Sequence, residues 1–284
     1  NVGKSTLLNR LIEQKISITS RKSQTTRNNI LGIKTKENHQ MVFIDTPGVH
    51  INASKVMNKV LNQSALGAIE DADLIIFMLQ RNKINTLDEL ILERLKGVET
   101  KKICVINKLD QVASINSLLP VVEKLRSENA FAEIIPVSAK TGKNINELEN
   151  MICQNLPENN HLYDSDTKFL AKESFMISEI IREKIIRFLG EELPHETYVQ
   201  LQKLEDKENI INIDAEIIVA RESQKGIVVG KNGAKLKKIG EKARIDLEKF
   251  FNKKVFLKTW VKTKKNWNND SDFISSLGIG SLYD

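Results

Sequence analysis

Asn1-Val2-Gly3-Lys4-Ser5-Thr6-Leu7-Leu8-Asn9-Arg10-Leu11-Ile12 is the stretch whose reading decides the fold. Gly3-Lys4-Ser5 is the closing half of the phosphate-loop pattern G-x-x-x-x-G-K-[ST]. In that pattern successive backbone N–H groups point at a polyphosphate, the lysine reaches the terminal phosphates, and the hydroxyl holds a magnesium ion. Leu7, Leu8, Leu11 and Ile12 recur at helical spacing, so the loop is expected to open a helix with its positive dipole end toward the anion. The first glycine of the pattern would precede residue 1. The chain is therefore expected to begin inside the motif, short of a strand and the first part of the loop.

Working outward, four apolar runs follow: Met41–Ile44, Leu74–Leu79, Ile103–Ile106 and Ile134–Val137. Short runs of this kind, separated by amphipathic stretches, predict buried strands of a mostly parallel sheet in an α/β domain. Ligands gather at the carboxyl ends of such strands. Three of the runs end in polar clusters there: Asp45-Thr46-Pro47-Gly48, Asn107-Lys108-Leu109-Asp110 and Ser138-Ala139-Lys140.

These clusters match the guanine-nucleotide signature in type and order. Asp45 is expected to hold magnesium through a water, and the Gly48 N–H to donate to the γ-phosphate. Asn107 and Asp110 are the expected base readers. A carboxylate at Asp110 accepts from N1–H and the 2-amino group of guanine, donors that adenine lacks. A site built on such bonds discriminates by about 10⁴. Lys108 is expected to lay its alkyl stem over the base. The N–H groups of Ser138 and Ala139 are expected to meet the guanine oxygen.

The hydroxyl-rich segment 16–27 suits a loop ordered by γ-phosphate and magnesium, with Thr26 favoured over Thr25 as a further metal ligand. A second such segment is expected from Val49 to about Asn62. Val49 stands where many GTPases carry a water-positioning glutamine, so slow intrinsic hydrolysis is expected. Lys4, Thr26 and Gly48 are the expected catalytic residues, and no role is assigned to His50. Asn1, Val2, Gly3, Thr6, Thr46, Pro47 and Lys140 complete the expected GTP/GDP and magnesium site.

With 284 residues the chain is long enough for two domains, and Leu156-Pro157-Glu158-Asn159-Asn160 reads as a boundary after a helix from Asn146 to Asn155. The expected division is a nucleotide domain at 1–157, a linker at 158–167 and an RNA-binding domain at 168–284. The net charge of +6 is unevenly placed. Residues 158–224 hold 8 basic against 15 acidic side chains, whereas 225–265 hold 14 against 3. A block that basic is a candidate nucleic-acid face. The two cysteines, Cys104 and Cys153, lack metal-ligand spacing, and no apolar run approaches a membrane span.

The second half predicts the order helix, strand, strand, helix, helix, strand, with a helix over 168–189 stopped by Gly190, strands at 197–204 and 210–220, a helical segment before the next loop, a basic helix from Ala234 to about Phe251 and a last strand at 255–261. Before the basic helix stands Gly230-Lys231-Asn232-Gly233. In this element order it reads as the G-x-x-G loop of a KH module, which clamps single-stranded RNA because two glycines let the chain approach the phosphates. Lys231, Lys235, Lys237 and Lys238 supply counter-charge. Trp260 and Trp267 are candidates for base stacking or for packing.

Together these motifs, with Gln24 to Arg27, resemble the Era family of bacterial GTPases over essentially the whole chain. That resemblance implies a G domain joined to a type II KH domain, and a role in assembling the small ribosomal subunit through the 3′ region of its rRNA. It also implies a cytoplasmic protein with peripheral inner-membrane association, expected to be a monomer. The competing reading is a non-catalytic RNA-binding assembly module that keeps GTP as a structural ligand.

Overall fold

The computed structural model describes residues 2–19, 26–48, 55–189 and 196–279. Within these, contacts divide the chain into two units. The first holds residues 2–19, 29–48 and 62–170; the second holds 26–28, 55–61, 171–189 and 196–279. Asn1, Gln24, Thr25, Val49, His50 and Gly190 lie outside the described residues.

The elements run α1 (Lys4–Ile12), β1 (Ile30–Lys36), β2 (His39–Asp45), α2 (Val56–Glu70), β3 (Leu74–Gln80), α3 (Thr86–Lys96), β4 (Lys101–Asn107), α4 (Leu119–Ser127), β5 (Glu133–Pro136), α5 (Ile145–Asn155), β6 (Phe169–Leu170), α6 (Glu173–Phe188), β7 (Thr197–Asp206), β8 (Ile210–Val219), α7 (Glu222–Val229), α8 (Ala234–Phe251), β9 (Lys254–Thr263) and α9 (Ser271–Ser276).

In the first unit β3, β4 and β5 form a parallel sheet in that order. Period-two alternation divides β4 between two cores. Ile103 and Val105 pack with Leu7 and Leu11 of α1 and Leu148 and Ile152 of α5. Cys104 and Ile106 pack on the other face with Leu92, Leu95 and Leu125. Burial on both faces is why the strand reads as an uninterrupted apolar run. Each fully buried aliphatic side chain contributes about 1.5–3 kcal/mol. All four apolar positions expected to turn α1 inward are buried.

The run at Met41–Ile44 departs from the parallel expectation. It lies in β2, which pairs antiparallel with β1, and β1 pairs antiparallel with β6. The helix expected from residue 168 starts at Glu173, because Phe169 and Leu170 pair instead with Gly32 and Leu31.

The second unit follows the expected order of helix, two strands, two helices and strand. β8 is central, antiparallel to β7 and parallel to β9. Ile211, Ile213, Ala215 and Ile217 point from β8 into one core with Ile177, Ile181 and Ile185 of α6 and Ile239, Ala243 and Leu247 of α8. Gly226–Val229 complete α7, the first of the two helices in that order. Helix α8 is rich in lysine, leucine, alanine and glutamate, all good helix formers. It ends at Asn252, whose left-handed backbone (φ 49°) sends the N–H back to the Glu248 carbonyl. Arg182, Glu183 and Lys184 of α6 are buried despite their charge; Lys184 pairs with Glu183 at 3.2 Å and with Asp246 of α8.

Candidate nucleotide and RNA sites

The phosphate loop enters α1 through Gly3, whose φ of 106° is left-handed. A Cβ there would stand 2.4 Å from Asn107 Nδ2, so glycine is required by both backbone and space. Asn107 is buried and ties two motifs together: its Nδ2 donates to the Val2 carbonyl at 2.8 Å, and its Oδ1 accepts from the Ala139 N–H at 3.0 Å. The first-turn N–H groups of an α-helix have no partner within the helix. Here the first turn, which contains Lys4, Ser5 and Thr6, carries no acidic residue and no side-chain cap, which suits it to an anion.

Ser5 Oγ donates to Asp45 Oδ2 at 2.8 Å, and Ser17 Oγ donates to the same oxygen at 2.8 Å. Asp45 closes β2 and is buried. A carboxylate beside a hydroxyl is the hard oxygen chemistry that magnesium takes, so these residues fit the ion. After Asp45 come Thr46, buried Pro47 and Gly48. Lys4 Nζ lies 3.8 Å from the point where a Gly48 Cβ would stand, which places the ammonium beside the glycine expected at the γ-phosphate. Thr26 is buried and belongs to the second unit.

At the base end Asp110 is exposed, and its Oδ1 accepts from Ser138 Oγ at 2.6 Å. The Ser138 hydroxyl in turn accepts from the Thr141 N–H at 3.1 Å. Lys108 has a left-handed backbone (φ 66°), and its Nζ donates to Gln80 Oε1 at 2.6 Å. Burial and the neighbouring Arg81 guanidinium hold its ammonium below the usual lysine range, against the pull of Asp110. Two of the expected base contacts carry partners within the protein. The Ser138 N–H donates to the Lys143 carbonyl at 3.1 Å and the Ala139 N–H donates to Asn107 Oδ1 at 3.0 Å. The turn needs them to hold its shape, since buried N–H groups without partners are costly. Lys140, next in the turn, is exposed.

Three contributors escaped sequence reasoning: Arg10, Asn9 and Ser17. Arg10 donates from Nε to the Ala139 carbonyl at 3.2 Å and from Nη2 to the Lys140 carbonyl at 2.6 Å. Asn9 accepts from the Ile16 and Ser17 N–H groups at 2.9 Å and so sets Ser17 toward Asp45. Arg10 and Asn9 lie on the same helix as the phosphate-loop lysine, but nothing in their spacing reveals their partners.

In the second unit Gly230 (φ 73°), Asn232 (φ 51°) and Gly233 (φ 77°) have left-handed backbone between α7 and α8. A Cβ on Gly230 would stand 2.9 Å from Lys235 Cβ. Lys231 and Asn232 are exposed at the tip, and Lys235, Lys237 and Lys238 are exposed along the first turns of α8. Lys238 Nζ also sits 5.1 Å above the Phe188 ring. Trp267 is fully buried, donates to the Glu196 carbonyl at 3.1 Å and packs beside Tyr198, which makes it core. Trp260 is half-buried and donates to Glu216 Oε1 at 2.9 Å. Among the described residues no helix is long and apolar enough to cross a membrane.

Comparison with known proteins agrees with this geometry. Residues 1–108 match the family described as 50S ribosome-binding GTPase, and residues 192–268 match the KH domain. The chain is 46% identical over 279 residues to GTPase Era of Coxiella burnetii (strain Dugway 5J108-111), covering 98% of this chain and 94% of that protein. It is 42% identical over 282 residues to GTPase Era of Pseudomonas syringae pv. tomato, covering 99% and 94%. Among solved structures, a point variant of Aquifex aeolicus Era bound to GDP.AlF4- superposes with a TM-score of 0.95 at 35% identity, covering 99% and 96%. Era in complex with MgGDPNP and nucleotides 1506–1542 of 16S ribosomal RNA matches equally well, with a TM-score of 0.95, 35% identity and the same coverage.

Proposed function

The chain belongs to the Era family of GTPases, and from that membership we propose that it hydrolyses GTP to GDP and phosphate while gripping the 3′ region of small-subunit ribosomal RNA during assembly of that subunit. The observation that carries this reading is the Asn107 side chain, which joins the phosphate loop at Val2 to the Ser-Ala-Lys turn at Ala139. That link supports reading the phosphate-binding and base-reading residues as parts of one site.

Ser5, and Asp45 through a water, would hold the magnesium, with Thr26 as the further ligand that the sequence pattern assigns. The ion supplies neutralisation of the charge that builds on the phosphates. Lys4 and the first-turn N–H groups of α1 orient the phosphates, and the Gly48 N–H donates to the terminal one. Asp110, held by Ser138, accepts from the guanine edge. Lys108 and Lys140 flank the base, and Val2, Thr6, Thr46, Pro47 and Ala139 supply backbone shape. Positioning and electrostatics together account for the rate, since phosphoryl transfer asks for little covalent help from the protein.

Nucleotide chemistry is assigned to residues 1–157 and RNA binding to 168–284, with 158–167 between them in the chain. The Gly230–Gly233 loop lets the RNA backbone approach, and Lys231, Lys235, Lys237 and Lys238 neutralise it. The protein acts as a cytoplasmic monomer that associates peripherally with the inner membrane.

Single-turnover hydrolysis with GTP and ATP, with and without small-subunit particles, tests the reading. Turnover of GTP alone, stimulated by particles, is expected. Negligible turnover without stimulation would make GTP a structural ligand and the chain a binding module.

A further inference from the structure

The G-x-x-G loop lies where α7 meets α8, and α8 packs on the inner face of the β7–β8–β9 sheet. The outer face of that sheet has a different chemistry. Along β9 the inner side is Val255, Leu257, Thr259 and Val261, and the outer side is Lys254, Phe256, Lys258, Trp260 and Lys262. Lysine and aromatic residues thus alternate at every outward position. The three lysines are exposed, and Phe256 is 57% exposed.

At one end the outer face is closed, where Ile218 packs with Met57, Leu61, Trp267 and Ile274. At the other end it is open. There Lys203, Glu205, Asn212, Asp214, Phe256 and Lys258 line a depression of about 300 Å³. The acids nearby are largely answered within the sheet. Glu216 takes the Trp260 N–H at 2.9 Å and faces Lys262 at 3.7 Å, and Glu205 pairs with Lys203 at 2.7 Å. Lys258 Nζ lies 5.9 Å from the Trp260 ring centroid.

We propose that this outer face of β9 is a second single-stranded RNA surface, on which bases stack against Phe256 and Trp260 while Lys254, Lys258 and Lys262 hold the phosphates. Residues four apart on a parallel strand stand about 13 Å apart, which suits splayed rather than mutually stacked bases. Aromatic faces accept any base, and the flanking ammonium groups track the backbone. Asn212 and Asp214, beside Phe256 in the depression, present hydrogen-bonding groups to a base edge. A protein partner fits less well, because lysine is depleted at protein interfaces.

The test uses the full chain carrying Lys231→Asp and Asn232→Asp, so that the G-x-x-G loop no longer dominates. A fluorescein-labelled oligouridine 12-mer is titrated at low salt. The expected result is residual binding that weakens about fivefold or more with Phe256→Ala, the lower end of what one base–aromatic stack contributes. Phe256→Tyr, which keeps a stacking ring, is expected to restore affinity to within about twofold of the parent. Trp267 is fully buried, so quenching of tryptophan fluorescence on titration reports Trp260. Loss of all binding in the loop variant, or Phe256→Ala binding within about twofold of its parent and without quenching, overturns the proposal. The latter is what a protein-docking face would give.

Discussion

Ser5 Oγ and Asp45 Oδ2 stand 2.8 Å apart across 40 residues of chain, and Ser17 meets the same carboxylate oxygen. The phosphate-loop hydroxyl is thus held at the end of β2, beside the carboxylate proposed to share a magnesium ion with it. Ser5→Ala removes both the ligand and the bond to Asp45. The gain in affinity for a fluorescent GTP analogue on adding magnesium is expected to shrink at least about tenfold, since even outer-shell partners of a metal are worth that much. Titrations in magnesium and in EDTA check this, and an unchanged gain would remove Ser5 from the metal site.

Asp110 is exposed at the base end, with one oxygen taken by Ser138 at 2.6 Å. Asp110→Asn replaces an acceptor by a group that donates. Guanine affinity should fall by about 10³ or more, and xanthine, with its 2-oxo group, should be preferred. Competition between GTP and XTP measures it. Retained GTP preference would place base recognition elsewhere.

Gly230 combines a φ of 73° with a Cβ position 2.9 Å from Lys235, so Gly230→Ala strains the loop by about 1–2 kcal/mol of left-handed backbone before any clash. Lys231→Asp with Asn232→Asp leaves that backbone alone and reverses the charge at the tip. RNA affinity at physiological salt is expected to fall at least about tenfold, and the salt slope to flatten by about one or more, with basal GTP hydrolysis unchanged. Equal affinity and slope would show that the loop is not the clamp.

Glu196 couples the second unit's stability to acid. Burial raises its carboxyl, but hydrogen bonds from Lys55 at 2.8 Å and from Gln224 outweigh that and leave its pKa below the ordinary value. A depressed carboxyl contributes stability above its unfolded pKa and loses it as pH falls through the folded value. Glu196→Gln is therefore expected to cost about 1 kcal/mol at neutral pH and almost nothing in strong acid. Thermal unfolding from pH 7 down to pH 3 reads this; a constant difference between variant and parent would contradict it.

Local patterns were well legible. The four buried apolar residues of α1, the buried runs behind β3 to β5 and the full extent of α8 follow from spacing and composition. The elements decided by distant partners did not. Strand β6 exists because Phe169 and Leu170 meet β1, and no local signal separates them from a helix start. Arg182, Glu183 and Lys184 look like solvent-facing residues of α6, yet Lys184 is buried because Asp246 awaits it on α8. At the nucleotide site the motif residues were visible, whereas Arg10 and Ser17 were not, since their hydrogen bonds span 129 and 28 residues of chain. The internal partners of the Ser138 and Ala139 N–H groups are hidden for the same reason. Their partners, Lys143 and Asn107, are set by the turn and by β4, not by the tripeptide itself.

The central claim is that one chain carries both a guanine-nucleotide site and an RNA-gripping KH module. Calorimetric titration of the purified protein with GTP, GDP and ATP in magnesium tests the nucleotide half, on which the rest depends, most directly. Saturable binding of GTP and GDP, with no heat from ATP, is the predicted result. No binding of either guanine nucleotide, or equal binding of ATP, would contradict it.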